Sequence, residues 1–133
     1  MAEKQFKLEV ISPDRTFYRG AATMIEYRTT EGEVGVYAGH IPMTQIIAPG
    51  VLTITEADGT KKEAALMSGF VEILPEKISI LAETVEWPEE IDKKRAQEAK
   101  ERAEQRLKSG DKSLDVIRAE LALKRALIRL SFK

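Results

Sequence analysis

The chain has 133 residues, no cysteine, one histidine, and 21 Lys+Arg against 22 Asp+Glu. That is the size of one domain, or of a small domain with an appendage, and it excludes a disulfide framework, a Cys-based zinc site and a His-rich metal cluster. Nothing approaches the ~18 consecutive apolar residues of a membrane span, and the opening Met-Ala-Glu-Lys lacks the apolar stretch of a signal peptide, so the expected compartment is cytosolic.

In chain order, Phe6, Leu8 and Val10 alternate with Lys7 and Glu9, the period of a half-buried strand. Ser12-Pro13-Asp14-Arg15 supplies a turn, a second run covers 16–19 and stops at Gly20, and a third runs from Ala22 to Arg28. The runs 51–55 and 63–67 flank Asp58-Gly59, a hairpin dipeptide because Gly tolerates positive φ. The runs 69–74 and 77–82 flank Pro75-Glu76 in the same way. Short strands with a turn signal every ~8–12 residues predict an antiparallel sandwich or barrel, and the lack of a helical crossover argues against parallel pairing.

Beyond Pro88 the chemistry changes. Residues 1–88 carry 8 basic and 13 acidic residues and residues 89–133 carry 13 and 9, so the near-zero total of −1 conceals a polarised chain. Seven of eight glycines and all five prolines lie at or before Pro88, which divides the chain into a turn-rich domain, 1–88, and a helical domain, 89–133.

From Asp92 to Lys108 good helix formers dominate without Gly, Pro or β-branched residues, and Glu89, Glu90 and Asp92 sit where acids favour a helix start. Its apolar line is small: Ala96, Ala99, Ala103, then Leu107. Ser109-Gly110-Asp111 breaks the pattern, and a second helix is predicted from about Ser113 to Leu130. That helix has two apolar stripes, one with Leu114, Ile117, Leu121 and Ile128 and one with Val116, Ala119, Leu123, Leu127 and Leu130. One alanine-faced helix cannot cover both, so the hairpin either folds back on the strand domain or offers a face to another protein.

There is no Walker loop, Gly-x-Ser-x-Gly, His-Glu-x-x-His or calcium loop, and no self-contained catalytic or metal site is expected. Nucleic-acid binding is disfavoured because the basic half interleaves acids and has only Phe132 as an aromatic. Glu98/Arg102, Glu104/Lys108 and Glu120/Lys124 stand as i,i+4 pairs. Arg125 and Arg129 lie four apart on one face without an acid between them, and Arg95 and Arg102 lie seven apart. A hairpin would bring these four together near Asp92, where arginine forks suit a polyphosphate and the aspartate suits an amino group such as that of adenine. The plainer reading of the same residues is a solvated basic face.

The chain resembles the epsilon subunit of the bacterial F-type ATP synthase over nearly its whole length. Gly32-Glu33-Val34-Gly35 through His40-Ile41-Pro42 resembles the family's Gly-x-x-Gly-x-x-x-x-His-x-Pro loop, with Tyr37-Ala38 in place of the more usual Leu-Pro. Ser68-Gly69-Phe70-Val71-Glu72 is similar to its Gly-Gly-Phe-x-Glu strand, and 12–15 to its opening turn. The resemblance makes His40 structural. It implies a β-sandwich of about ten antiparallel strands followed by a helical hairpin, in a non-catalytic stalk subunit that docks on the gamma subunit and the ring of c subunits. Such a subunit couples proton or sodium flow to ATP synthesis at the cytoplasmic face of the plasma membrane, as a peripheral component.

The resemblance further implies that the hairpin permits ATP hydrolysis when folded down and inhibits it when extended against the beta and alpha subunits. Ile91-Asp92-Lys93-Lys94-Arg95-Ala96 matches the Ile-Asp-x-x-Arg-Ala motif through which bacillus-like members bind ATP as a regulatory ligand. Glu86, Arg102, Arg125 and Arg129 match its remaining ligands, while Trp87-Pro88 is a stiff insert. The competing readings are a free-standing nucleotide sensor and an unrelated sandwich with a coiled-coil adaptor tail.

Overall fold

A computed structural model describes residues 4–110 and 115–132. Their contacts divide the chain into two compact units, Met1–Glu86 and Trp87–Lys133.

The first unit contains seven strands: β1 (Phe6–Ser12), β2 (Arg15–Thr29), β3 (Gly32–Tyr37), β4 (Met43–Ile47), β5 (Gly50–Glu56), β6 (Lys61–Ile73) and β7 (Lys77–Glu86). The expected period-2 alternation holds in β1, where Phe6, Leu8 and Val10 are buried. The expected breaks at Gly20 and Ser68 do not occur. Gly20 pairs with Leu8 inside β2, and Ser68-Gly69 lies inside β6. Irregularities fall between Ala22 and Met24 in β2 and at Ser68 and Gly69 in β6, and bulges of this kind let one strand turn a corner between layers.

Seven strands and the implied ten are thereby reconciled. The first half of β2 pairs with β1, and its second half lies between β3 and β5. The first half of β6 pairs with β5, and its second half lies between β4 and β7. One layer is therefore β3, late β2, β5, early β6 and the end of β7; the other is early β2, β1, early β7, late β6 and β4. Three strands serve both layers, which makes ten strand segments from seven strands. The inner faces meet in a core of Phe6, Leu8, Val10, Ile25, Tyr27, Leu52, Ile54, Leu66, Val71, Ile73, Ile78 and Ile80, each at most 2% exposed.

The expectation of antiparallel pairing throughout is also overturned. β1 and β7 pair in parallel, from Lys7 opposite Lys77 to Ile11 opposite Leu81, with Lys7 N–H donating to Glu76 O at 2.9 Å. Parallel neighbours need a long connection, and five intervening strands supply it without a helix. The hairpin signals hold: Asp58 accepts from Thr60 N–H at 2.8 Å with Gly59 at φ 90°, and Leu74 N–H reaches Lys77 O at 2.9 Å across Pro75-Glu76.

The second unit begins with a single 3₁₀ turn, Pro88–Glu90, whose entry is held by Glu90 Oε1 accepting from Trp87 N–H at 2.9 Å. It continues with α1 (Lys93–Ser109) and α2 (Val116–Ser131). Glu89 and Glu90 therefore belong to the 3₁₀ turn, and the acid at the start of α1 is Asp92, the N-cap, accepting from Arg95 N–H at 3.0 Å. Asp115 caps α2 through Arg118 N–H at 3.1 Å, so α2 begins at Val116; the expected start at Ser113, and Leu114 of the apolar stripe, lie outside the described residues. Gly110, at φ 66°, closes α1 in the left-handed conformation that a C-terminal glycine favours.

Candidate nucleotide-binding face of the hairpin

The helix pair is built on alanine. Ala96 and Ala103 of α1 and Ala119 and Ala126 of α2 are all buried, and small side chains let the two backbones approach closely. The Lys93 ammonium, at the start of α1, donates to the carbonyl oxygen of Phe132 at the end of α2. This contact fixes the pair as antiparallel and places a cation at a helix C-terminus, where the helix dipole favours it. The Lys93 contact was not legible in the sequence, because it joins residues 39 apart.

With about 100° between successive residues, Arg95 and Arg102 lie about 90–110° to one side of the buried Ala96/Ala103 line. Arg125 and Arg129 lie about 70–110° to the same rotational side of Ala119/Ala126. In an antiparallel pair equal rotations point to the same side of the hairpin. The four arginines selected by spacing thus share one side, Arg95 and Arg102 exposed and Arg125 and Arg129 partly so. Asp92 stands at the open end, with one carboxylate oxygen committed to the cap.

Ile91 and Ala96 are buried and present no polar side-chain group. Glu86 is the last residue of β7 and belongs to the first unit. Among the described residues the three expected i,i+4 pairs do not close to ion pairs; the nearest helical counterpart is Gln97 Nε2 donating to Glu101 at 3.2 Å. Of the stripe of α2 that holds Ile117, Leu121 and Ile128, Ile117 is 70% and Leu121 37% exposed.

The sandwich has a surface of its own that periodicity alone did not single out. Ile46, Phe70 and Leu81 stand directly opposite one another across β4, β6 and β7, and all three are more than a third exposed. Inward neighbours in the same ladder, Val71 and Ile80, are fully buried, so this is an apolar row on the outer face. His40 places Nδ1 2.8 Å from the carbonyl oxygen of Ile41, which accepts its proton, a loop-bracing contact.

The described residues thus define a two-layer β-sandwich followed by a helix hairpin whose arginines share one side. The chain belongs to the delta/epsilon chain family of ATP synthases, as an epsilon chain: residues 5–88 match the beta-sandwich domain of that family and residues 89–133 its long alpha-helix domain. It is 46% identical to the ATP synthase epsilon chain of Caldanaerobacter subterraneus subsp. tengcongensis, covering 96% of this chain and 93% of that one. It is 41% identical to that of Bacillus licheniformis, covering 96% of both. A chain in the cryo-EM structure of the Euglena gracilis mitochondrial ATP synthase, an OSCP/F1/c-ring assembly, superposes with a TM-score of 0.79 at 30% identity, over 90% of this chain and 76% of that one.

Proposed function

We propose that this epsilon chain is a regulated rotor component, its sandwich docked on the gamma subunit and the c ring and its hairpin responsive to ATP. The observation that carries the ATP reading is the placement of Arg95, Arg102, Arg125 and Arg129 on one side of the hairpin with Asp92 at its open end. Guanidinium forks match phosphate oxygens in a bidentate manner, and the free oxygen of Asp92 accepts from an adenine amino group. Ile91 and Ala96 give the base an apolar seat, and Glu86 is the remaining candidate ligand.

The exposed Ile117 and Leu121 support a second, extended conformation that meets the beta and alpha subunits and inhibits hydrolysis. ATP that binds only the folded-down state stabilises it by about 2.7 kcal/mol when its concentration is about a hundredfold above Kd, enough to tip a balanced switch. No helix among the described residues is long and apolar enough to cross a membrane, and attachment to the cytoplasmic face of the plasma membrane then runs through the partner subunits.

Calorimetric titration of the chain with ATP, with and without magnesium, tests the ligand. Saturable heat at a single site is expected, and no heat at millimolar ATP refutes the ATP reading while leaving the rotor reading intact. Copurification with gamma separates the rotor subunit from a free-standing sensor.

A further inference from the structure

The arginine side of the hairpin does not end with the four residues assigned to ATP. Arg106 lies about 70° from the buried line of α1 and Arg118 about 90° from that of α2, each rotated in the same sense as the others. All six arginines of the two helices therefore face one side: Arg95, Arg102 and Arg106 from α1, and Arg118, Arg125 and Arg129 from α2. None of their five lysines does, since Lys93, Lys94, Lys100, Lys108 and Lys124 fall on the opposite or outer faces. A merely soluble helix has no reason to sort guanidinium from ammonium; a surface that grips phosphate in forked geometry does.

Length then decides the ligand class. Eleven residues separate Arg95 from Arg106 and Arg118 from Arg129, so each row runs about 16 Å along its helix. A triphosphate engages only about two turns of such a face. Glu98 borders the face on α1 and does not close an ion pair with Arg102, and Asp115, near Arg118, is occupied as the cap of α2. Among the described residues of α1 and α2 there is no aromatic residue to stack a base, which disfavours a nucleic acid.

We propose that Arg106 and Arg118 form a second anion subsite, continuous with the first, and that the full face binds a linear inorganic polyphosphate longer than a triphosphate. The proposal shares four arginines with the ATP reading and stands or falls on the other two. Polyphosphate bound along the hairpin would hold it closed by the same differential binding as ATP.

The test uses the full chain, titrated with a linear inorganic polyphosphate long enough to span both rows. Tripolyphosphate, ATP, an oligothymidylate and polyglutamate of matched charge serve as comparisons. The long polyphosphate should bind more tightly than tripolyphosphate, and the double variant Arg106→Ala/Arg118→Ala should weaken it about tenfold while changing ATP affinity less than about twofold. Both side chains can be truncated without touching a cap, because Arg106 and Arg118 contribute only backbone atoms to their hydrogen bonds with Ser109 and Asp115. Arg106→Lys/Arg118→Lys should lose most of the same increment if the fork geometry matters. No long-polyphosphate binding, equal binding by the double variant, or equal binding of polyglutamate or oligothymidylate overturns the proposal. Retention of ATP heat in any of those cases leaves the nucleotide reading standing. Polyphosphate binding that depends on Arg106 and Arg118, without any ATP heat, supports the longer anion site and refutes the nucleotide reading.

Discussion

Gly69→Ala is the sharpest test of how the sandwich is built. At φ 135° Gly69 occupies backbone space that L side chains rarely adopt, at the corner where β6 passes from one layer to the other. A Cβ there would lie 2.0 Å from Leu81 O and 2.9 Å from Ala82 Cα, both backbone atoms of β7 and neither able to rotate away. Conformational strain alone costs ~1–3 kcal/mol. Separating two hydrogen-bonded strands by more than an ångström raises the total to about 4 kcal/mol or more, a large part of a domain stability of ~5–15 kcal/mol. Gly59→Ala is the matched comparison: its φ is 90°, but nothing lies within 4 Å of the new Cβ, so only the strain of ~1–2 kcal/mol applies. Urea denaturation of both variants, followed by far-UV circular dichroism, measures the difference. If Gly69→Ala costs no more than Gly59→Ala, the close crossing of β6 and β7 is not what shapes the corner.

Burial raises the Tyr27 hydroxyl to about 12, and the hydroxyl donates to Gln45 Oε1. The folded state therefore holds this proton more tightly than the unfolded state, whose tyrosine titrates near 10. Its contribution is complete below pH ~10 and is lost as pH rises toward 12, by up to about 3 kcal/mol, so denaturation midpoints should fall between pH ~9.5 and ~11.5 and fall less in Tyr27→Phe. Asp115→Ala and Asp92→Ala each remove an N-cap worth ~1 kcal/mol and should reduce hairpin helicity alike, but only Asp92→Ala should also weaken ATP; equal loss of ATP binding in both would make the effect structural. Arg125→Ala should abolish ATP heat and leave gamma binding unchanged in pull-down, whereas loss of both would assign the residue to folding. Phe70→Glu, 41% exposed on the apolar row, should leave the thermal midpoint within a few degrees and weaken gamma binding at least about tenfold; unchanged binding places the docking surface elsewhere.

Local signals in the sequence translated faithfully. Asp58-Gly59 and Pro75-Glu76 are turns because turn chemistry is decided by a few adjacent residues. What escaped was non-local: Gly20 and Ser68 read as breaks between runs, yet in the fold Gly20 is simply paired and Ser68 lies inside a continuous strand, where its neighbour Gly69 permits a close crossing. The parallel pairing of β1 with β7 joins segments about 70 residues apart, and no periodicity within either segment announces its partner's direction. On the hairpin, Arg95, Arg102, Arg125 and Arg129 were legible because seven and four are helical spacings. Arg106 and Arg118 obey the same spacing, four beyond Arg102 and seven before Arg125, but their place emerges only once the buried alanines fix which way each helix faces.

If the hairpin is an ATP-controlled brake, hydrolysis by the assembled enzyme must depend on the hairpin at one ATP concentration and not at another. The direct measurement is the ATP hydrolysis rate of complexes reconstituted with the full chain or with a chain ending at Pro88, each at low and at high ATP. Removal of the hairpin should raise hydrolysis at low ATP and have little effect at high ATP, where the full-length hairpin is already held down. Equal rates for the two complexes at both concentrations would mean that the hairpin does not control hydrolysis.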